Sequence, residues 1–244
     1  MKRVSSALDR RMLRASATTL FVGVLISLLA GLFHPGREPA NDHMAAFAEY
    51  AGSHHWTAIH LGQFAGMAVL VAGLFLLFFA LEVHSGTQAW AGRLGAVSAA
   101  VTLALYGVLQ AVDGVALKQA VDAWLKAPAA EKAARFASAE AIRWLKWGVR
   151  SYQSFTLGLS FVLFATMIVR TAKVPAPIGY LMGLSGLAYI VQGWVLGSEG
   201  FSASNRVPTL LAIVLVFAWS IWLVVIAWSK ETVETLSDRG SGKS

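Results

Sequence analysis

The 244-residue chain contains no cysteine, and only 14% of its residues are charged. The absence of cysteine excludes disulfides, thiolate metal sites, cysteine nucleophiles and iron–sulfur clusters. An ordinary soluble domain has about 25% charged residues. Hydrophobic residues make up 57% of this chain, and a soluble protein of this size cannot bury so much apolar surface. The composition therefore excludes a soluble enzyme and a disordered chain, and it predicts a membrane protein.

The motifs of several common functions are missing as well. The sequence has no Gly-x-Ser-x-Gly nucleophile motif, no phosphate-binding loop and no dinucleotide fingerprint. The net charge of +7 is not arranged as a basic stripe with interleaved aromatics, so no nucleic-acid partner is predicted. No histidine follows His84, which counts against a membrane haem. We therefore predict no cofactor.

Six stretches without Asp, Glu, Lys or Arg are long enough to cross the hydrocarbon core as helices. They are Ala15–Phe33, Leu61–Leu81, Leu94–Val112, Ser151–Val169, Val174–Ser198 and Val207–Ser229. None contains an ionisable carboxylate or cation at its centre, which counts against an ion-coupled transporter. The sequence predicts an all-α bundle of six transmembrane helices over residues 15–229, with a basic tail at 1–14 and a mobile tail at 230–244.

The cations near the N-terminus predict the orientation of the bundle. The first stretch follows Lys2, Arg3, Arg10, Arg11 and Arg14. By the positive-inside rule this cluster lies in the cytoplasm, and an even number of spans returns the C-terminus to the same side. The first stretch is longer than the apolar core of about 7–15 residues in a signal peptide, which predicts an uncleaved anchor. The loops at 34–60 and 113–150 are then external.

The first external loop contains the signals of a short helix. Asn41 or Asp42 is an N-cap candidate. Met44, Phe47 and Tyr50 would then share one face. Such a face predicts a helix that lies on the membrane surface.

The second external loop, Val115–Ala141, alternates alanine with charged residues. Pro128 is a residue type that favours the start of a helix. Glu131 and Arg135 have the i,i+4 spacing of a helical ion pair. We expect one or two amphipathic helices that cap the external face.

Four glutamines on four different predicted spans form the most distinctive polar pattern. They are Gln63, Gln110, Gln153 and Gln192. The predicted topology places all of them in the external half of the membrane. A buried amide without partners costs free energy, so we expect these side chains to face one another or a wet cavity. Two alternatives stay open: the amides fasten the helices together, or they line a binding vestibule.

Charged residues gather at the same level. Arg143, Lys146, Arg150 and Gln153 are spaced as one stripe along a helix. A stripe that ends in the membrane indicates either an inward face or attraction to anionic headgroups. Arg150 is the deepest cation, and we predict that it pairs with Asp113 at the end of the neighbouring span.

Five of the six histidines cluster in the first external loop: His34, His43, His54, His55 and His60. Their spacing matches no metal-ligand motif, and on one helix His55 and His60 would point about 140° apart. A folded loop could still bring several of them together. We predict no metal site, and we assign His60 to the glutamine layer because it shares a helix face with Gln63.

Short motifs along the first half of the chain resemble a known group. Gly31-Leu-Phe-His34-Pro35, Asp42, Ile59-His60-Leu-Gly62 and Ala111-Val-Asp113-Gly114 are similar to motifs of uncharacterised bacterial six-helix membrane proteins. In that group the residue before His34 is Leu, whereas this chain has Phe33. The resemblance covers roughly residues 15–120. It implies the six-helix topology and a bacterial cytoplasmic membrane, and it implies no activity.

Three functions follow from these patterns. The favoured hypothesis is a binding protein for an amphiphilic or anionic molecule, such as a lipid, quinone or isoprenoid, in an outward-facing vestibule. The predicted lining is His60, Gln63, Gln110, Asp113, Arg150, Gln153 and Gln192. The second hypothesis is an accessory subunit, whose partner would be another membrane protein or a second copy of the chain. The third is a membrane enzyme that uses His60 and Asp113 as acid and base, although no nucleophile is evident.

Overall fold

The computed structural model describes residues 2–81, 83–171 and 173–229, and the side chains from residue 10 onward. The predicted mobile tail at 230–244 lies outside the described residues. The described part of the chain forms helices joined by short loops. The helices are α1 (Lys2–Leu32), α2 (His43–Ala51), α3 (Trp56–Ala80), α4 (Gly86–Ala111), α5 (Lys118–Lys126), α6 (Lys132–Thr171), α7 (Ala176–Glu199) and α8 (Arg206–Trp228). A π-helical segment, Val112–Leu117, joins α4 to α5, and a 3₁₀ turn, Ala203–Asn205, precedes α8.

Six of these helices are long and apolar enough to cross a membrane: α1, α3, α4, α6, α7 and α8. Each predicted stretch is covered by one of them, apart from one or two residues at an end. The six-helix prediction is therefore confirmed. Several helices continue past the charge-free stretches, because charged residues outside the hydrocarbon core do not end a helix. The basic segment predicted as a separate N-terminal tail belongs to α1 from Lys2 onward.

The six long helices form a closed ring in chain order. α1 packs on α3, α3 on α4, α4 on α6, α6 on α7 and α7 on α8, and α8 closes the ring against α1. Short connections place consecutive helices side by side, as expected. The start of α1 and the end of α8 lie at the same end of the ring, where Arg14 Nε donates to the carbonyl of Ala227 at 3.1 Å.

Large apolar side chains fill the inside of the ring. Leu20, Leu74, Phe161, Met182 and Trp219 are fully buried there. Apolar side chains also cover much of the outside, and the exposed ones include Leu29, Leu94, Leu184, Leu210 and Val214. Contiguous apolar surface of this extent is unfavourable in water. A hydrocarbon environment satisfies it, in agreement with the six apolar helices.

The contact between α6 and α7 depends on two glycines. A Cβ atom on Gly186 would lie 2.6 Å from the carbonyl oxygen of Gly158, and 3.0 Å from the backbone nitrogen of Val162. Atoms do not approach that closely, so both positions require glycine. Small residues of this kind let membrane helices pack backbone to backbone.

A small second core lies at one end of the ring. It consists of α2, α5 and the first turns of α6, together with the start of α3 and the end of the π-helical segment, and we call it the cap. Its buried side chains are Ala46, Phe47, Tyr50, Trp56, Leu117, Val121 and Ala139. The cap lies at the end opposite Arg14 and Ala227. The predicted capping helices over 115–141 therefore correspond to α5 and the beginning of α6.

The structure confirms Asp42 as the N-cap of α2, since its Oδ1 accepts a hydrogen bond from Ala45 N at 3.1 Å. The predicted membrane-surface face of α2 is wrong. Phe47 and Tyr50 are buried against the other cap helices, whereas Met44 is 61% exposed. The apolar face of α2 therefore packs against the other cap helices, whereas its amphipathic pattern alone predicted contact with lipid.

Pro128 lies in the turn before α6 and not at its first residue. Its carbonyl accepts from Glu131 N at 2.9 Å and from Lys132 N at 3.2 Å. The predicted Glu131–Arg135 pair forms, with an Oε2–Nη2 distance of 3.1 Å, on an exposed face. This pair contributes little to stability because water screens it.

Candidate functional site

Three residues that are far apart in the sequence meet where the cap joins the ring. His34 follows the end of α1, His60 lies in the second turn of α3, and Asp113 lies in the π-helical segment. One potential ligand atom from each residue lies within 4.8 Å of the others. We call this group the His–His–Asp cluster. His60 is 2% exposed and Asp113 is 6% exposed.

The π-helical segment directs Asp113 toward the interior. A π-turn adds a residue to the helical repeat, so the face presented by α4 shifts at this point. Trp56 Nε1 donates to the main-chain carbonyl of Asp113 at 3.0 Å, which anchors the segment to α3. π-Bulges in long helices frequently occur at functional sites.

Gly114 lets the π-helical segment contact α3 directly. A Cβ atom at this position would lie 2.8 Å from His60 Cβ and 3.0 Å from His60 Cγ. These atoms are close to the backbone of α3 and have little freedom to move. The Asp-Gly pair at 113–114 therefore has two functions: the aspartate supplies the carboxylate, and the glycine admits the imidazole.

Asp113 pairs with Lys146, and the predicted pair with Arg150 is wrong. Lys146 Nζ lies 2.8 Å from Asp113 Oδ2, and both side chains are buried. Arg150 lies one helical turn deeper, where its Nη1 donates to Gln153 Oε1 at 3.0 Å. Its guanidinium also lies 5.8 Å from the centre of the Tyr106 ring. The shift introduced by the π-turn brings the carboxylate to the level of Lys146.

His34 is half-buried among aromatic rings. Its ring centre lies 5.3 Å from that of His60 and 5.2 Å from that of Trp56. Burial, together with the nearby charge of Lys146, lowers the pKa of His34 to about 4. The imidazole of His34 is therefore neutral near pH 7.

The cationic stripe on α6 faces the protein interior. Arg143 is 1% exposed, Lys146 is 5% exposed, and Gln153 is fully buried. Arg143 Nη1 donates to the hydroxyl of Tyr50 at 3.1 Å, and its Nη2 donates to the carbonyl of Ala40. Of the two interpretations that the spacing allowed, the inward face is the observed one.

The four glutamines do not form one continuous layer. Gln110 Nε2 lies 3.5 Å from Gln63 Oε1, so these two amides form a weak pair between α3 and α4. Gln153 accepts from Arg150, as described above. Gln192 is held separately between α6, α7 and α8: its Nε2 donates to Thr209 Oγ1 at 2.8 Å, and its Oε1 accepts from Ser154 Oγ at 3.3 Å.

A cleft between α3 and α4 adjoins the His–His–Asp cluster. Its volume is about 290 Å³. The lining residues are Thr57, His60, Leu61, Phe64, Gly107, Gln110, Ala111, Gly114 and Val115. Leu61 is 66% exposed and Val115 is 49% exposed, so the cleft opens on the outer surface of the ring. We call it the α3–α4 cleft.

Several buried polar atoms of this region have no hydrogen-bond partner within the described protein. They include His60 Nε2, Gln110 Oε1 and Asp113 Oδ1. His60 Nε2 lies 3.2 Å from Asp113 Oδ2, but without the geometry of a hydrogen bond. Buried polar groups are nearly always paired, so several unpaired atoms in one region indicate a site for something else.

The chain matches the model of a known family. The family is described as a domain of unknown function, DUF4386, and the match covers residues 12–227. The chain belongs to the DUF4386 family. The resemblance to an uncharacterised family is thereby confirmed. No curated protein and no solved structure matches the chain.

Sequence reasoning placed His60 and Asp113 of this DUF4386 protein in the site, and it missed His34. His34 belonged to a loop cluster of five histidines, of which the structure brings His34 and His60 together and leaves the other three apart from them. His43 instead pairs with Glu140, at 2.9 Å, and His54 and His55 are exposed. One signal was available: the His34-Pro35, His60 and Asp113-Gly114 motifs that carry the resemblance all supply the same site.

Proposed function

We propose that this protein binds the headgroup of an amphiphilic small molecule in the α3–α4 cleft. One observation carries the proposal: His60 and Gln110 both line the cleft, and each has a buried polar atom without a partner. Ligand sites typically combine a mostly apolar lining with a few convergent polar groups. A molecule that supplies hydrogen bonds to these two residues would remove the cost of leaving them unpaired.

The lining favours an amphiphile over a fully polar ligand. Leu61, Phe64 and Val115 offer an apolar surface that continues to the outside of the ring. An acyl or isoprenoid chain would lie along it and extend into the membrane. The cleft accommodates a headgroup and the beginning of such a chain, because its volume of about 290 Å³ is at the lower end for small-molecule sites.

The unpaired atoms favour an uncharged headgroup with a hydroxyl group. Gln110 Oε1 is a hydrogen-bond acceptor, and a ligand hydroxyl would donate to it. The cations nearby are already engaged, Lys146 by Asp113 and Arg150 by Gln153. A hydroxylated lipid, a quinol or an isoprenoid alcohol fits this chemistry better than an anion does.

Filling the cleft tests the proposal. Leucine at position 107 would project into the cleft, where a Cβ atom has only Phe64 Cε2 as a neighbour, at 3.5 Å. The matched control is Gly148→Leu, because Gly148 is also within a helix and has no atom within 4 Å of an added Cβ. Both proteins should be purified in mild detergent and their bound lipids extracted and identified by mass spectrometry.

We expect one amphiphile to co-purify with the wild type and with Gly148→Leu, and to be lost from folded Gly107→Leu. Gln110→Leu should retain the fold and weaken binding about tenfold, the effect of losing one hydrogen bond of about 1.4 kcal/mol. Equal amounts of amphiphile in Gly107→Leu and the wild type would refute the proposal. A protein without any amphiphile would favour the accessory-subunit function.

We also propose that the cap faces the outside of a bacterial cytoplasmic membrane, with both termini in the cytoplasm. The positive-inside rule supports this orientation, since Arg10, Arg11 and Arg14 lie at the end of the ring opposite the cap. Single cysteines are readily introduced into a cysteine-free chain. An impermeant thiol reagent should label Ser53→Cys and Ala129→Cys on intact cells, but should leave Ser241→Cys unlabelled. The reverse pattern would show that the orientation is inverted.

A further inference from the structure

We propose that His34, His60 and Asp113 form a binding site for a divalent transition-metal ion, with zinc as the ion that suits their donor atoms. Two imidazoles and one carboxylate are a common ligand set for zinc. Their potential ligand atoms lie within 4.8 Å of one another. The inference does not rest on the proposed amphiphile. Both proposals use His60 Nε2, so the ion and the amphiphile would compete for that atom, whereas His34 belongs to the metal site alone and Gln110 to the cleft alone.

Hydrogen bonds at the far side of each ring leave Nε2 available for a metal. His60 Nδ1 lies 2.8 Å from the carbonyl of Trp56, and His34 Nδ1 lies 2.7 Å from the carbonyl of Pro35. A carbonyl oxygen accepts, so each Nδ1 carries the proton. The atom of each ring that is left for a metal is then Nε2. Metal-binding histidines are usually held by the same kind of bond from the other ring nitrogen.

The buried atoms of this cluster that have no hydrogen-bond partner are the atoms that would bind a metal. His60 Nε2 and Asp113 Oδ1 have no hydrogen-bond partner, although both residues are more than nine-tenths buried. His60 Nε2 lies 3.2 Å from Asp113 Oδ2. Two ligands of a tetrahedral zinc ion with bonds of about 2.0–2.1 Å are about 3.4 Å apart. The carboxylate of Asp113 therefore lies close enough to His60 Nε2 for both residues to bind one ion. The measured oxygen, Oδ2, is held by Lys146, so the ion would bind the other oxygen, Oδ1.

A metal ion bound to Asp113 would lie close to the positive charge of Lys146. Its ammonium lies 2.8 Å from Asp113 Oδ2. Coordination through Oδ1 would leave this ion pair in place, since the other oxygen of the carboxylate is the unpartnered one. The positive charge of Lys146 would nevertheless repel the ion, because both lie in a buried site with little screening. We therefore expect Lys146 to weaken metal binding without abolishing it.

Three protein ligands leave a fourth position open on a tetrahedral ion. Sites of this type hold a water molecule or a substrate atom in that position, whereas purely structural zinc sites have four protein ligands. His60 belongs both to the metal ligands and to the lining of the α3–α4 cleft. The open position would therefore be near the cleft.

Metal titration of the full-length protein in detergent tests the site. Protein stripped with a chelator should be titrated with zinc chloride against a chromophoric competitor, and cobalt(II) should be used in parallel for its visible spectrum. We expect one zinc ion per chain, and cobalt bands typical of four-coordinate geometry. His34→Gln and Asp113→Asn should each weaken zinc binding at least tenfold. His55→Ala is the matched control, since His55 is an exposed histidine of the same loop, and it should bind as the wild type does.

Lys146→Met provides a measurement that does not depend on the loss of a ligand. This variant lacks the competing ammonium, so it should bind zinc at least tenfold more tightly than the wild type. Its melting temperature should be low in chelator and should rise on addition of zinc, because the metal replaces the lost positive charge beside Asp113.

The metal proposal would be overturned if neither the wild type nor Lys146→Met binds stoichiometric zinc at micromolar concentrations. Equal affinity in His34→Gln and the wild type would also overturn it, and a loss confined to His55→Ala would place the ion elsewhere. The two proposals fail separately. Gly107→Leu should retain zinc while losing the amphiphile, and His34→Gln should do the opposite.

Discussion

The two halves of the helix ring treat buried polar groups differently. In the half away from the cap, buried side-chain polar atoms are short hydroxyls or an indole, and they have partners. Ser16 Oγ donates to the carbonyl of Gly73 at 2.9 Å, and Ser160 Oγ donates to that of Gly95 at 2.9 Å. Trp219 Nε1 donates to Ser185 Oγ at 3.2 Å. These bonds link neighbouring helices without leaving a polar atom unpaired.

The half next to the cap contains charged and amide side chains, and many of their atoms lack partners. The buried unpartnered atoms of the described residues are Ser27 Oγ, His60 Nε2, Gln110 Oε1, Asp113 Oδ1, Arg143 Nε, Trp147 Nε1, Gln153 Nε2 and Asn205 Oδ1. All of them belong to the cap half. One half therefore has the character of a packed scaffold, and the other has the character of a site, where unpaired groups are kept at a cost to stability.

The largest effect that this comparison predicts is at the ion pair in the cap half. Asp113→Asn and Lys146→Gln should each lower the free energy of unfolding by about 3–5 kcal/mol, because each leaves a buried charge without its partner. The double variant should lose less than the sum of the two. Thermal unfolding in detergent, followed by circular dichroism or tryptophan fluorescence, measures all three losses.

The control is a second set of two single variants and their double variant, in which Arg150→Gln takes the place of Lys146→Gln. Arg150 binds Gln153 and contacts Tyr106, so its loss should add to that of Asp113→Asn without coupling. Coupling between Asp113 and Arg150, together with additivity between Asp113 and Lys146, would contradict the arrangement of the cluster. It would mean that Asp113 pairs with the deeper cation.

The next effect in size concerns the contact between the π-helical segment and α3. Gly114→Ala should destabilise the protein by about 1–3 kcal/mol, the usual cost of overpacking. The added methyl group would lie 2.8 Å from His60 Cβ. Gly148→Ala is the control, because its methyl group meets no atom within 4 Å. It should be neutral or stabilising, since alanine favours a helix more than glycine does.

Gly114→Ala also tests whether this close contact positions His60 for binding. The added methyl group should displace the ring of His60, and we therefore expect weaker binding of both zinc and the amphiphile. Equal unfolding temperatures for Gly114→Ala and Gly148→Ala would show that the two segments are not in close contact, and the position of His60 would need another explanation.

The number of long helices and the position of their apolar stretches were predictable from the sequence alone, whereas the full lengths of α1, α4 and α6 were not. A charge inside hydrocarbon is so costly that runs without Asp, Glu, Lys or Arg mark the spans directly. The stripe of Arg143, Lys146, Arg150 and Gln153 was predictable from the helical period, although the spacing left open whether it faces the interior or anionic headgroups. Its residues recur with the helical period, so one face had to carry all of them whatever surrounded the helix.

The composition of the site was only partly predictable, because it depends on contacts between distant segments. The π-helical segment 112–117 has no evident signature in the sequence, and it changes which cation meets Asp113. The approach of His34 to His60 depends on the packing of α1 against α3 and on the path of the loop between them. Periodicity along one helix contains no information about either.

The smallest predicted effect is in the half away from the cap. Ser160→Ala removes the hydrogen bond to Gly95, which contributes about 0.5–1.5 kcal/mol, and alanine recovers a few tenths through its higher helix propensity. We expect a net loss below about 1 kcal/mol. The carbonyl of Gly95 is a backbone group within α4, and an apolar methyl group in place of the hydroxyl leaves no charge unpaired.

The measurement that completes the comparison is the unfolding temperature of Ser160→Ala combined with Asp113→Asn. The two side chains share no partner, so their effects should add within a few tenths of a kcal/mol. Neither zinc nor amphiphile binding should change in Ser160→Ala, since Ser160 belongs to neither site. A loss as large as that of Asp113→Asn would mean that hydroxyls in this half support the fold as strongly as the buried ion pair does. The two halves would then differ in the kinds of buried polar residue that they contain, but not in how much those residues contribute to stability.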